Sequence, residues 1–138
     1  MSEVFTGRCL CGAVRYECGA PVSSPCLCHC ESCRRASGAH VVAWATVPRD
    51  TFKVVAGTLR SYASSPPVLR QFCAHCGTPI TYENRSEPLT IDITVSTLDS
   101  PNAMAPMDHV WMEDAPAWDR PQDGRPQFSR SRQEHDPS

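Results

Sequence analysis

The chain has 138 residues, of which 41% are hydrophobic and 20% charged, and this length and composition are typical of one soluble globular domain. Its formal net charge of -2 excludes a general attraction to nucleic-acid phosphates or anionic lipid. The longest fully apolar run, 41–45, is too short for a membrane span, and the N-terminus lacks a signal-peptide core. We therefore expect a cytoplasmic protein without nucleic-acid or membrane partners, and composition leaves its oligomeric state open.

The N-terminal part carries two cysteines with one residue between them. Cys9 and Cys11 would project to the same side of an extended backbone, which supplies half of a metal site. Apolar and polar residues then alternate over 14–18, and this period of two predicts a half-buried strand. Cys18 lies on its apolar side, so we expect a small buried hydrophobe rather than a ligand. A turn-rich connector is predicted over 19–25.

The stretch from Cys26 to Gly38 has the highest density of cysteine in the chain. Within it, Cys28, Cys30 and Cys33 form a CxCxxC cluster that can supply three thiolates from one loop. A short helix is predicted over 31–37, with Gly38 as a left-handed C-terminal cap. The last two cysteines of the cluster then lie near the helix N-terminus, where amide groups favour thiolate over thiol.

The fourth position of this cluster is open to two interpretations. With three thiolates, a zinc ion keeps an open corner at which a substrate thiol binds as thiolate. Alternatively, Cys26 or His29 completes the tetrahedron and the site is structural, and spacing alone does not decide. His29 otherwise acts as a spacer between ligands. Arg34 and Arg35 follow, either as partners for substrate carboxylates or as solvated charges at the helix end.

Short β-branched or aromatic runs dominate the rest of the chain, which predicts an all-β class. Trp44, in the first of them, is predicted to lie in the core. Polar residues alternate regularly with apolar ones in the last run, which makes it the clearest strand. The runs are 41–47, 52–56, 59–63 and 89–95.

A second CxxC motif lies between two further runs, 68–73 and 79–82. Cys73 and Cys76 are followed directly by Gly77, which adopts a positive φ without penalty and lets amides point at sulfur. We expect a hairpin whose tip is a metal knuckle. Together with the first cysteine pair it completes a four-thiolate structural zinc site, whereas an odd cysteine count speaks against a disulfide framework.

From Asp99 onward prolines are frequent and periodicity ends, which predicts an irregular Pro-rich segment. Three aromatic residues are spaced as anchors for such a segment on a sheet. They are Trp111, Trp118 and Phe128. We expect a single domain over 1–128 and a disordered tail over 129–138. His40 is expected to be exposed, and His109 is a weak candidate for proton transfer.

Six sequence blocks run in one order from Gly7 to Phe128. They are GRCLCGAVRYEC, CHCESCRRASGA, SSPPVLRQFCAHCGTPI, STLDSP, HVW and DGRPQF. This series resembles the glutathione-dependent formaldehyde-activating enzyme family, which includes centromere protein V. Cys26 is not part of the family pattern.

The resemblance implies a β-tent fold of short antiparallel sheets with two zinc ions. A structural zinc would be held by Cys9, Cys11, Cys73 and Cys76. A catalytic zinc would be held by Cys28, Cys30 and Cys33, where the glutathione sulfur would bind.

The activity that this resemblance implies is that of a carbon-sulfur lyase or synthase. Glutathione, or a similar small thiol, would add reversibly to formaldehyde or a related small carbonyl to give an S-(hydroxymethyl) adduct, with Arg34 and Arg35 binding the thiol's carboxylates. The alternative is a non-catalytic zinc module for protein or nucleic-acid interaction, as the centromere-protein branch suggests. The net charge speaks against that alternative.

Overall fold

The structure, a computed structural model, describes residues 3–132. Strands make up most of its regular elements, and within that range no helix is long and apolar enough to cross a membrane. In chain order the elements are β1 (Val4–Arg8), β2 (Arg15–Gly19), β3 (Ser23–Cys28), α1 (Glu31–Ser37), β4 (Val42–Pro48), β5 (Lys53–Ala56), β6 (Leu59–Ser65), β7 (Val68–Cys73), β8 (Pro79–Asn84), β9 (Thr90–Thr94) and β10 (Asp108–Val110).

The strands form two open sheets. The smaller has the order β1-β2-β5, and the larger has the order β10-β3-β4-β9-β8-β7-β6. The mostly-β class is therefore confirmed. The expectation of purely antiparallel sheets is wrong at one edge, because β10 pairs with β3 in parallel. A parallel neighbour needs a long crossover, and here most of the chain lies between the two strands.

The two faces of β4, β8 and β9 serve different purposes. Ile80, Ile91 and Ile93 point to one face, where they pack in the main core with Tyr16 of the small sheet and with Val14, which directly precedes β2. The opposite face carries Trp44, which packs with cysteines of the central stretch in a second cluster. The predictions that Trp44 and Cys18 are buried are confirmed. The second face is the one on which a site can form.

The local predictions around the helix and the knuckle hold. Helix α1 covers Glu31–Ser37, and Gly38 caps it at φ 72°, with its N–H donating to the carbonyl of Arg34. Strands β7 and β8 pair antiparallel around the CxxC turn, where Gly77 has φ 82°. In both places a residue with a side chain would be strained.

Two local predictions are corrected. The connector predicted over 19–25 already contains the start of β3 at Ser23, and a bulge between Ser23 and Cys26 takes up Pro25, which cannot donate a ladder hydrogen bond. Cys9 and Cys11 are brought together by a turn, in which Gly12 N–H donates to the carbonyl of Cys9, rather than by an extended strand.

The C-terminal segment, defined as residues 99–132, is not wholly irregular. It contains β10 and two 3₁₀ turns, Pro101–Met104 and Met112–Asp114. A three-residue strand is too short to leave a periodic pattern in the sequence. Trp111 and Phe128 pack on the second cluster as anchors, whereas Trp118 is 71% exposed, so its prediction as an anchor is wrong.

Residues 129–132 belonged to the predicted tail, but they contact the sheet edge. The N–H groups of Glu113 and Trp111 donate to the carbonyls of Ser129 and Arg130, and Arg132 pairs with the buried carboxylate of Asp108. The rest of the predicted tail lies outside the described residues. The domain limits themselves remain a prediction.

Candidate metal centres and cavity

Four cysteine sulfurs meet where the turn after β1 packs against the β7–β8 hairpin. The Sγ atoms of Cys9, Cys11, Cys73 and Cys76 all lie within 4.8 Å of one another. The sulfur of Cys11 is 3.6 Å from that of Cys9 and 3.9 Å from that of Cys73. These distances are close to the edge of roughly 3.8 Å in a tetrahedron with zinc-sulfur bonds of about 2.3 Å. The group therefore fits a four-coordinate metal ion.

Hydrogen-bond donors point at these sulfurs, as expected for thiolate ligands. The N–H of Val14 donates to Cys9 Sγ at 3.3 Å. The N–H of Cys76 donates to Cys73 Sγ at the same distance of 3.3 Å. The Thr78 hydroxyl and nearby amides lower the pKa of the Cys76 thiol to about 5. The surroundings thus favour thiolate at Cys76, whereas burial and the neighbouring thiols raise the pKa of Cys11 to about 11.

The second group is assembled from β3 and the first turn of α1. The sulfurs of Cys28, Cys30 and Cys33 also lie within 4.8 Å of one another. Cys30 is the N-cap of the helix, and its sulfur accepts a hydrogen bond of 3.3 Å from the N–H of Cys33. Cys28 and Cys33 are buried and Cys30 is half-buried. The predicted placement of the last two cysteines at the helix N-terminus is confirmed.

Neither candidate for a fourth ligand joins this group among the described residues. Cys26 lies on β3 opposite Trp44, outside the group of three sulfurs, and burial raises the pKa of its thiol to about 12. His29 turns away from the three sulfurs, and both of its ring nitrogens have other partners. Three sulfurs alone leave one corner of a tetrahedral ion open.

His29 is part of a chain of four titratable side chains, of which His29, His109 and Asp119 are buried and Asp123 is exposed. Its Nδ1 lies 2.6 Å from Oδ2 of Asp119, and its Nε2 lies 2.9 Å from Nδ1 of His109. The Nε2 of His109 in turn lies 2.9 Å from Oδ2 of Asp123. We name these four residues the His-Asp chain. It ties the loop between the ligands to the C-terminal segment, so His29 is more than the spacer that the sequence suggested.

A cavity of about 440 Å³ opens beside the second group. The loop that carries Cys28 and Cys30, here called the ligand loop, and the start of α1 line one side of this cavity. The second face of the large sheet forms the opposite side, here called the cavity floor, and β10 lies along one edge. A second cavity of about 330 Å³ lies on the far side of Cys33. Side chains shared by both cavities are Cys33, Trp44 and Arg70.

Arg70 is a cation that contacts the second cysteine group through Cys33. Both terminal nitrogens lie 3.9 Å from Cys33 Sγ, and the guanidinium carbon lies 5.0 Å from the ring centre of Tyr82. Hydrogen bonds from the neighbouring thiols, the indole N–H of Trp44 at 3.4 Å and the Arg70 charge lower the pKa of Cys33 to about 3. Negative charge in the group is therefore favoured at Cys33, whereas hydrogen bonding to the neighbouring thiols and burial raise the pKa of Cys28.

The two arginines predicted from the central stretch lie elsewhere. Arg35 is exposed and its Nε is 3.8 Å from a carboxylate oxygen of Glu31. Arg34 has a buried Nε without a hydrogen-bond partner among the described residues. Neither belongs to the described residues that line the two cavities. Their role in binding a thiol substrate stays a prediction. His40 is exposed, as expected, and its ring centre is 5.3 Å from that of Trp118.

Comparison with known proteins identifies the family. Residues 4–114 match the family model described as glutathione-dependent formaldehyde-activating enzyme. The chain belongs to this family. The match covers both cysteine groups and ends at the last 3₁₀ turn of the C-terminal segment. The resemblance read from the sequence blocks is therefore confirmed.

This member of the formaldehyde-activating enzyme family is also similar to a protein of known structure. The crystal structure of a Rhodobacter sphaeroides protein, a structural genomics target, superposes with a TM-score of 0.59 at 24% sequence identity. The likeness covers 89% of this chain and 98% of the other. At that level of identity the comparison supports the fold alone.

Three polar residues on the cavity floor of this family member escaped sequence reasoning. Arg70, Tyr82 and Asp92 lie on β7, β8 and β9, and all three line the larger cavity. Arg70 lies within the block SSPPVLRQFCAHCGTPI, which was noted for its cysteines, whereas Tyr82 and Asp92 lie outside all six blocks. The alternation in β9 assigned Asp92 to the face opposite the core and could have drawn attention to it.

Proposed function

We propose that this protein catalyses the reversible addition of the glutathione thiol to formaldehyde, giving S-(hydroxymethyl)glutathione. The observation that carries the proposal is the three-thiolate group with an open corner on one side of a cavity of about 440 Å³. Such a volume lies within the roughly 300–1,000 Å³ typical of small-ligand pockets. A small thiol and a small carbonyl compound are the reactants that the family name suggests.

The metal that best fits the donor set is zinc, with one structural and one catalytic ion per chain. Cys9, Cys11, Cys73 and Cys76 would hold the structural ion. Thiolate sulfur at near-tetrahedral spacing is the donor that zinc prefers in proteins. At the three-thiolate group, a bound zinc ion would lower the pKa of a coordinating substrate thiol and so supply thiolate at neutral pH.

The chain's own side chains would prepare the site for this chemistry. Cys28, Cys30 and Cys33 hold the ion, and Arg70 sits beside them with a planar fork suited to a carboxylate. Glutathione carries two carboxylates, so Arg70 is a better placed partner than the exposed Arg35. Holding the sulfur next to the carbonyl carbon in the cavity reduces the entropic part of the barrier, and proximity is the main catalytic effect.

The proposal also includes the type of fold and the cellular compartment. The pair of open sheets that meet over the main core supports the β-tent description of the fold. Nine cysteines without a disulfide, all within the described residues, fit a reducing compartment such as the cytoplasm.

The test is exchange spectroscopy by NMR on zinc-loaded protein with formaldehyde and glutathione. We expect exchange between free formaldehyde and its glutathione adduct to be faster than the spontaneous rate in proportion to protein concentration. A matched control is Cys30→Ser, which retains an N-cap oxygen for α1 but removes one ligand. An exchange rate equal to the spontaneous one, with two zinc ions bound per chain, would remove this assignment.

A further inference from the structure

A row of side chains crosses the floor of the larger cavity. Register places Thr46 opposite Asp92, Asp92 opposite Tyr82 and Tyr82 opposite Arg70, on four neighbouring strands. Directly opposed residues project to the same face of a sheet, so these four side chains form one continuous line. The Arg70 end of the line contacts Cys33, at 3.9 Å from its sulfur. The line therefore leads from the three-thiolate group across the cavity to a carboxyl group.

Asp92 lines the cavity and has one side-chain hydrogen bond among those seen within residues 3–132. Its Oδ1 accepts a hydrogen bond of 2.6 Å from the Thr46 hydroxyl. It lines the larger cavity and also a smaller opening of about 220 Å³ towards Cys26 and Arg132. None of the ion pairs within residues 3–132 includes Asp92. A half-buried carboxyl without a cationic partner is costly to keep, and such groups are concentrated at functional sites.

The surroundings of Asp92 adjust its proton affinity. Burial raises the pKa of this carboxyl to about 6, with the Thr46 hydrogen bond acting in the opposite direction and the charge of Glu87 in the same one. The titratable groups that face it from packed elements are Tyr82 on β8, Cys26 on β3, Glu87 in the turn before β9 and Arg132 in the C-terminal segment. A group of this kind can both give and accept a proton near neutral pH.

We propose that Asp92 is a catalytic acid-base residue that exchanges a proton with the oxygen of the carbonyl compound. This inference rests on the proposed function. In the addition direction, the thiolate sulfur forms the new carbon-sulfur bond, the π pair of the carbonyl moves to oxygen, and Asp92 gives that oxygen its proton. The incoming thiol loses its proton to the solvent, and the Asp92 carboxylate takes up a proton from the solvent, which restores the carboxyl group. In the cleavage direction, the Asp92 carboxylate takes the hydroxyl proton, the carbon-sulfur bond breaks, and aldehyde and thiolate separate.

The test compares Asp92→Asn with the wild-type protein in the cleavage of S-(hydroxymethyl)glutathione, followed by NMR exchange over pH 5 to 8. We expect the protein-dependent rate of the wild type to fall below about pH 6, because Asp92 must be ionised to take the proton. Asp92→Asn, which keeps the shape of the side chain, should lose about 100-fold or more and lack this pH dependence. The matched control is Asp50→Asn, the same chemical change at an exposed turn, which should behave as wild type.

A second variant, Thr46→Val, tests the role of Asp92 even if Asp92→Asn does not fold. Thr46→Val removes the hydrogen bond that favours the carboxylate, so the pH at which the rate falls should move upward. An unchanged pH dependence in Thr46→Val, or a rate within threefold of wild type in Asp92→Asn, would overturn the role of Asp92 while the proposed function stands. No acceleration by the wild-type protein would overturn the proposed function itself, and the role of Asp92 with it.

Discussion

The imidazole nitrogens Nε2 of His29 and Nδ1 of His109 lie 2.9 Å apart in the interior of the protein. Each ring also contacts a carboxylate, Asp119 on one side and Asp123 on the other. The members of this His-Asp chain stabilise one another as a unit, because each buried ring nitrogen has its hydrogen-bond partner within the chain. Removing any member leaves a buried polar group without a partner.

The first prediction concerns this unit. His109→Gln should lower the free energy of unfolding by about 1–3 kcal/mol, because buried His29 loses a partner. The three-thiolate group should also release its metal to a chelator faster, since its loop is no longer tied to the C-terminal segment. Urea denaturation and a colorimetric chelator assay measure the two effects. His40→Gln, at an exposed position, is the control, and equal losses in both variants would contradict the role of the His-Asp chain.

The second prediction separates the two cysteine groups. Cys73→Ser should cause loss of both the structural metal and much of the thermal stability, because this site joins the turn after β1 to a hairpin distant in sequence. Cys30→Ser should lose only the second metal and stay folded. Zinc per chain by elemental analysis and thermal unfolding by circular dichroism check both statements. Unfolding of Cys30→Ser would instead indicate a structural role for the three-thiolate group.

The third prediction concerns Arg70. Arg70→Met removes the guanidinium that contacts Cys33 and faces both cavities, so the KM for glutathione should rise about tenfold or more, as expected for a lost charge-assisted hydrogen bond. Arg60→Met, at an exposed position on the neighbouring strand β6, is the matched control. Equal KM values for the two variants would place the substrate carboxylate elsewhere, with Arg34 and Arg35 as the next candidates.

The fourth prediction is a pH dependence of stability. Folding raises the pKa of Asp92 from 3.8 to about 6, so the native state binds this proton more tightly than the unfolded state. The resulting stabilisation is present below about pH 4 and is lost as the pH rises through 6. Asp92→Asn should remove this loss and be more stable than wild type at pH 7.5 by about 1–3 kcal/mol, part of the effect being screened by cavity water.

Chemical denaturation at a series of pH values measures this difference. Asp50→Asn should show the same pH profile as wild type, since that carboxylate is exposed. A decrease in stability of Asp92→Asn at pH 7.5 would show that the carboxylate contributes to folding rather than being kept at a cost. The combination of higher stability with lower activity is the expected mark of a functional residue.

Short-range spacing made much of the site predictable. Ligand pairs such as Cys73 and Cys76 lie within one turn of each other, and the glycine that follows each turn or helix reports the backbone shape directly. The same holds for β9, whose regular alternation reflects one buried face. In these cases the physical cause and the sequence signal lie within a few residues.

Contacts between distant segments were not predictable. His29 meets His109 only because β3 and β10 become neighbours, and nothing local to either histidine reports that pairing. Likewise, the polar positions of β9 look like an ordinary solvent face, although Asp92 faces a cavity that β3, α1 and the C-terminal segment cover. A period of two separates the faces of a strand but does not tell what lies over each face.

The parallel pairing of β10 with β3 has a consequence for the order of folding. All seven sulfurs of the two groups have been synthesised once Cys76 is made, whereas Asp108, the first residue of β10, follows much later in the chain. Contacts between such distant segments form late, because closing a long loop costs entropy that only the completed contact repays. We therefore expect β10 to join β3 late, and the wall that it adds to the larger cavity to be the last part of that cavity to form.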